Sequence, residues 1–186
     1  MTTDTAPQRG EVWLKGNVRP ALGLVLLLTA AVAGGAVIVL LASPPVWVAW
    51  VAGGVGFLLA VGVAALSWAA TQPRIERRGS LLRVRLSPHA AHDVPLEIVE
   101  CVFLGSQPIG AADAEAQRLR VGTLVVRLAE RAADWRERST FKPWGSWQDG
   151  HVVVDGRWCE PLSLDVARGV SARLVEAKRG LAGTVP

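Results

Sequence analysis

One long stretch of this chain has no charge. Between Pro20 and Pro73 there is no Asp, Glu, Lys, Arg or His, and a segment without ionisable side chains offers no proton relay, ion path or transport site. Cysteine is scarce as well. Cys101 and Cys159 are the only two, too few for a disulfide framework or a cysteine-rich metal site, and both sit in segments that read as buried strands. Of the three histidines, His89 and His92 fall in the turn-like Ser87 to Asp93 segment, so metal ligation there needs further ligands, such as His151, brought in by folding. No Gly-x-Ser-x-Gly elbow is present. Gly53-Gly54-Val55-Gly56 lacks the lysine of a phosphate loop, and the acidic pairs Glu97/Glu100 and Asp134/Glu137 are spaced like solvated helical faces. No catalytic residue, metal set or cofactor is assigned, and enzymatic activity is not expected.

What the charge-free stretch does contain is two apolar blocks, Ala21 to Ala42 and Val46 to Ala70, separated by Ser43-Pro44-Pro45. As helices each reaches at least ~30 Å, the thickness of a bilayer's hydrocarbon core. The sequence therefore predicts a two-helix membrane hairpin over residues 20–72, after a tail at 1–19 and before a domain at 73–186. The first block is longer than the apolar core of a signal peptide and reads as an uncleaved span. Arg9, Lys15 and Arg19 precede the hairpin and Arg74, Arg77 and Arg78 follow it, which places both ends on the cytoplasmic side. Trp47, Trp50 and Trp68, with those three arginines, are the expected membrane-interface residues. Small residues at helical spacing, Ala30, Gly34 and Gly35 in the first block and Ala52, Gly56, Ala60 and Ala64 in the second, are expected to pack helices closely. Either the two stripes meet each other or they receive a partner.

The tail mixes Val12, Trp13, Leu14 and Val18 with Lys15 and Arg19; it reads either as a segment along the membrane surface or as a leader. Residues 73–186 hold 17 Lys and Arg against 14 Asp and Glu, a basic excess too mild for a nucleic-acid binder. Gly79-Ser80 joins Arg74–Arg78 to the alternating Leu82, Val84 and Leu86, predicting a hairpin with one apolar face. Its arginines face either headgroups or water. A single helical turn is expected at Pro95–Glu100, a strand at Cys101–Leu104, a loop at Ser106–Gln117, and a strand at Leu119–Leu128 with a bulge or turn at Gly122. Asp149-Gly150 and Asp155-Gly156 predict tight turns in a meander from Trp144 to Glu160. Ser163 caps a final helix whose stripe is Val166, Val170, Leu174 and Ala177. Trp135, Phe141, Trp144 and Trp147 are the candidate interaction residues. Core packing explains Trp147 at least as well, and for Trp144 contact and burial stand level.

This element order, with Val94-Pro95-Leu96-Glu97-Ile98-Val99-Glu100-Cys101-Val102 after the first hairpin, resembles the bacterial pleckstrin-homology-like domains that follow two membrane helices. The fold class is thus a membrane α-helical hairpin plus a β-rich α+β domain. The resemblance implies a seven-stranded bent sheet or roll capped by the C-terminal helix, a multi-pass protein of the bacterial inner membrane, and a role in binding or assembly without catalytic residues. The expected partners are the lipid bilayer and other membrane proteins or further copies of the chain. A lipid or peptide sensor using the basic hairpin and the Trp144 loop is the competing expectation.

Overall fold

The computed structural model describes residues 10–42, 45–108 and 120–183. Among them the chain is an α+β protein with three helices and eight strands, the strands forming two antiparallel four-stranded sheets and no closed barrel. It divides into two units, Asn17–Thr71 and the combination of Met1–Gly16 with Gln72–Pro186.

The first unit is two helices, α1 (Arg19–Ala42) and α2 (Val46–Thr71), lying against each other. Leu, Ala and Val fill both, and Pro20 sits in the first turn of α1, where its missing N–H costs nothing. The hydroxyls satisfy themselves within the helices: Thr29 Oγ1 donates to Val25 O at 2.8 Å and Thr71 Oγ1 to Trp68 O at 2.6 Å. Large apolar side chains point outward along both helices, with Leu26 71% and Trp50 78% exposed. Among the described residues α2 is the one helix long and apolar enough to cross a membrane, and α1 contributes a shorter apolar stretch, Leu22–Ile38. Of the predicted Ser43-Pro44-Pro45 turn, Ser43 and Pro44 lie outside the described residues.

The second unit begins where the sequence predicts a tail. Glu11–Leu14 is strand β1, paired antiparallel with β2 (Ile75–Arg78), and Trp13 and Leu14 are buried. The tail reading is corrected at these residues: Val12 to Leu14 are apolar because they belong to a sheet. β3 (Leu81–Val84) and β4 (His92–Pro95) complete the order β1-β2-β3-β4. The β2–β3 turn uses Gly79 at φ 60°, a left-handed conformation suited to glycine. The expected single helical turn is a 3-10 turn at Leu96–Ile98.

The second sheet runs β5 (Val99–Pro108), β6 (Arg120–Leu128), β8 (His151–Asp155), β7 (Gly145–Gln148). β5 continues through Ser106 to Pro108, where a loop is expected; the remainder of that loop lies outside the described residues. The ladder irregularity falls between Val99 and Cys101, whereas Gly122 pairs regularly with Ser106. The bulge predicted at Gly122 is therefore displaced to the start of β5, and with it the side-chain phase shifts: Glu100 and Cys101 both face outward. Cys101 is exposed, contrary to the expectation, while Cys159 is buried.

Asp149 and Gly150, at φ 50° and 72°, make the predicted tight turn between β7 and β8. α3 (Leu164–Ala182) starts at Ser163, whose Oγ accepts from Val166 N at 3.2 Å. It lies along β5 and buries Ala167, Val170, Leu174 and Ala177. One continuous core joins them to Leu82, Val84 and Val94 of the first sheet and Val102, Leu124 and Val152 of the second. The resemblance implies seven strands in one bent sheet; the described residues give eight in two.

Candidate functional site

The aromatic residues singled out in the sequence separate by burial. Trp144 and Trp147 are 1% exposed and belong to the interior, so neither is a contact surface. Trp147 is fixed by its Nε1, which donates to Trp135 O at 2.8 Å, by the stacked ring of Trp135 and by the edge of His92 at 5.3 Å between centroids. Trp135 is half-buried, and Phe141, 40% exposed, packs edge-on against Trp144 at 5.8 Å. Of the four, Trp135 and Phe141 alone keep surface.

Trp144 is the base of a cluster assembled from three parts of the chain. Arg74 immediately precedes β2, yet it is fully buried, its guanidinium carbon 3.6 Å from the centroid of the Trp144 ring. Its backbone is tied on both sides, N to Leu14 O and O to Arg85 N, each at 2.9 Å. Its Nε donates to Trp158 O at 2.9 Å, and Trp158 tilts against Trp144. Burial lowers the Arg74 pKa to about 10, the dominant effect, partly offset by the Cys159 thiol and reinforced by Arg85; the group remains cationic at neutral pH. Arg74 is thus not at a lipid surface as the sequence suggests, because the aromatic stack draws it inside.

Three other arginines of the hairpin, Arg77, Arg78 and Arg83, are occupied. Arg83 grips Asp93 through two 2.7 Å bonds, which pulls the Asp93 carboxyl below its usual range. Arg78 pairs with Glu76, and Arg77 donates to Gly79 O at 3.0 Å and lies 4.0 Å from Glu11. Asp155, buried, is held by Arg157 through a 2.7 Å Nη2–Oδ2 contact. Arg85, Trp158 and Asp155 reach the cluster by folding.

In the helical unit, Trp47, Trp50 and Trp68 are exposed. Gly35, Ala52 and Gly56 line an apolar groove of about 900 Å³ between α1 and α2, together with Ala31 and Gly53. A Cβ placed on Gly34, Gly35 or Gly56 meets nothing within 4 Å, so the small residues do not close a tight seam between the two helices. Ala30, Gly34, Ala60 and Ala64 are exposed and lie outside that groove.

The histidines do not gather. His92 lies in β4 against Trp147, and His151 in β8 has Nδ1 2.9 Å from Asp149 O. Among the described residues no three His, Cys, Asp or Glu side chains stand close enough to hold a metal ion. Comparison with family models, with curated proteins and with solved structures finds no match for this chain.

Proposed function

We propose that this chain is a non-enzymatic protein of the bacterial inner membrane. α1 and α2 span the bilayer as a hairpin with both termini cytoplasmic, and the β-rich unit serves as a pleckstrin-homology-like interaction domain in a larger membrane assembly. The observation that carries the reading is the outward display of large apolar side chains along two helices that have no ionisable group between Pro20 and Pro73. In water that surface is costly, at roughly 25 cal/mol per Å², and lipid removes the cost. Exposed Trp47, Trp50 and Trp68 near the ends of α2 support the placement. An antiparallel β unit with the C-terminal amphipathic helix packed along it supports the pleckstrin-homology-like reading. The groove between α1 and α2, lined by small residues, supports association with another apolar helix.

The test is biochemical. Expressed in a bacterial host, the chain should stay in the membrane pellet through an alkaline carbonate wash. A membrane-impermeant maleimide should reach exposed Cys101 in inside-out vesicles but not in intact spheroplasts. Recovery in the soluble fraction overturns the anchor, and a strictly monomeric species in mild detergent counts against assembly. The competing lipid-sensor reading loses support at Arg77, Arg78 and Arg83, whose side chains already have protein partners.

A further inference from the structure

Arg74 holds a positive charge that no acidic side chain among the described residues answers. Its Nε is satisfied by Trp158 O, but Nη1 and Nη2, both buried, have no acceptor within hydrogen-bond distance. Directly across the β2–β3 pair stands Arg85, whose N–H donates to Arg74 O and whose own Nε is equally without an acceptor. Like charges facing each other across strands repel, and a guanidinium taken out of water needs an anion and filled hydrogen bonds to recover its lost solvation. The next basic residues along the hairpin are treated differently. Arg83 has Asp93 and Arg78 has Glu76. The contrast singles out Arg74 and Arg85 as a cationic pair with donors to spare, the first held rigid by the Trp144 stack.

We propose that Arg74 and Arg85 form the seat of a phosphate-bearing anion, their free nitrogens donating to its oxygens. A tetrahedral oxyanion presents several acceptors at once and suits two planar guanidinium groups better than it suits point-charge ammonium. Arg85 is only half-buried, which leaves an anion a side of approach. The phosphate comes either from a phospholipid headgroup or from free phosphate. The seat itself rests on these side chains; only its lipid source rests on the membrane reading.

Full-length protein in non-ionic detergent is titrated calorimetrically with inorganic phosphate and, separately, with phosphatidylglycerol incorporated into the micelles. Arg85→Gln removes a side chain that contributes no hydrogen bond through Nε, so the fold should persist; Arg74→Lys keeps the charge and loses the planar fork. Arg168→Gln, on the exposed face of α3, is the control. Saturable binding is expected in at least one arm, weakened about tenfold or more by Arg85→Gln and Arg74→Lys and unchanged by Arg168→Gln. Binding of inorganic phosphate assigns a free anion; binding of phosphatidylglycerol alone assigns a headgroup. No saturable binding in either arm, or binding that Arg85→Gln leaves unchanged, overturns the proposal. The carbonate wash reads the membrane anchor independently, so failure of one is not failure of the other.

Discussion

The guanidinium of Arg74 sits over the Trp144 ring, its carbon 3.6 Å from the centroid, with both residues removed from solvent. A desolvated cation over an indole face gains about 2 kcal/mol or more, and here the contact fastens the start of β2 to the segment leading into β7.

Truncation of the indole should therefore cost more than its volume. Trp144→Leu is expected to destabilise by about 3–5 kcal/mol, since it opens a cavity and strips Arg74 of its aromatic face. Trp144→Phe keeps a π surface and should cost clearly less. Urea unfolding of the detergent-solubilised chain, followed by near-ultraviolet circular dichroism, compares them; equal losses would show that the cation–π contact contributes little.

Two glycines separate close approach from mere helix weakness. Gly145 stands at φ 150°, and a Cβ there would sit 1.9 Å from Val153 O, inside the β7–β8 ladder. Gly145→Ala is expected to cost about 2–4 kcal/mol, because neither strand can retreat without losing its pairing. Gly169 lies inside α3, and a Cβ there meets nothing within 4 Å; Gly169→Ala should stabilise by about 0.5–1 kcal/mol through helix propensity. Thermal midpoints moving in opposite directions are the expected result.

Local signals carried the parts of the fold that depend on neighbours in sequence. Gly79-Ser80, Asp149-Gly150 and the Ser163 cap were readable because turn and cap chemistry is contained within a few residues. β1 was not readable: its partner β2 comes after both apolar helices, so no hairpin signal joins Val12 to Glu76. The outward turn of Cys101 depends on a bulge, which alters the alternation without any Gly or Pro to mark it. The candidate cluster was least legible of all. A basic residue beside an apolar helix reads as an interface arginine, and only the arrival of Trp144 and Trp158 from about seventy and eighty residues away brings Arg74 inside.

Acid should loosen the Arg83–Asp93 pair. The hydrogen bonds from Arg83 hold the Asp93 pKa in the folded state below its ordinary carboxylate value. A depressed carboxyl stabilises the fold above the unfolded value and loses that contribution as pH falls through the folded one. Asp93 is partly solvent-exposed, so screening limits the effect, and Asp93→Asn should cost at most about 1 kcal/mol at pH 7. As pH falls through the folded value the gap between the variant and the parent should narrow. Urea midpoints measured from pH 7 down through an acid series test this, and a gap that does not narrow with acid would assign the loss to packing.

The two thiols should behave as opposites. Cys101 is exposed on β5, whereas Cys159 is buried, donates its S–H to Asp155 O at 3.6 Å, and is pushed up to about 12, chiefly by burial, with Arg74 opposing the rise. Only the thiolate reacts readily, so at pH 7.5 native protein should take one maleimide, at Cys101, and the second only after denaturation. The same shift carries a stability consequence. A thiol whose pKa rises on folding stabilises the native state below its unfolded value near 9.0, and that contribution drains away as pH climbs toward about 12. Cys159→Ala should therefore weaken the protein at pH 7 through the cavity it leaves, yet flatten the decline in stability between pH 9 and pH 11. Stoichiometric labelling of Cys159 in the native state, or an unchanged alkaline decline in Cys159→Ala, would place the thiol in contact with water and undo the account of the buried cluster beside Arg74.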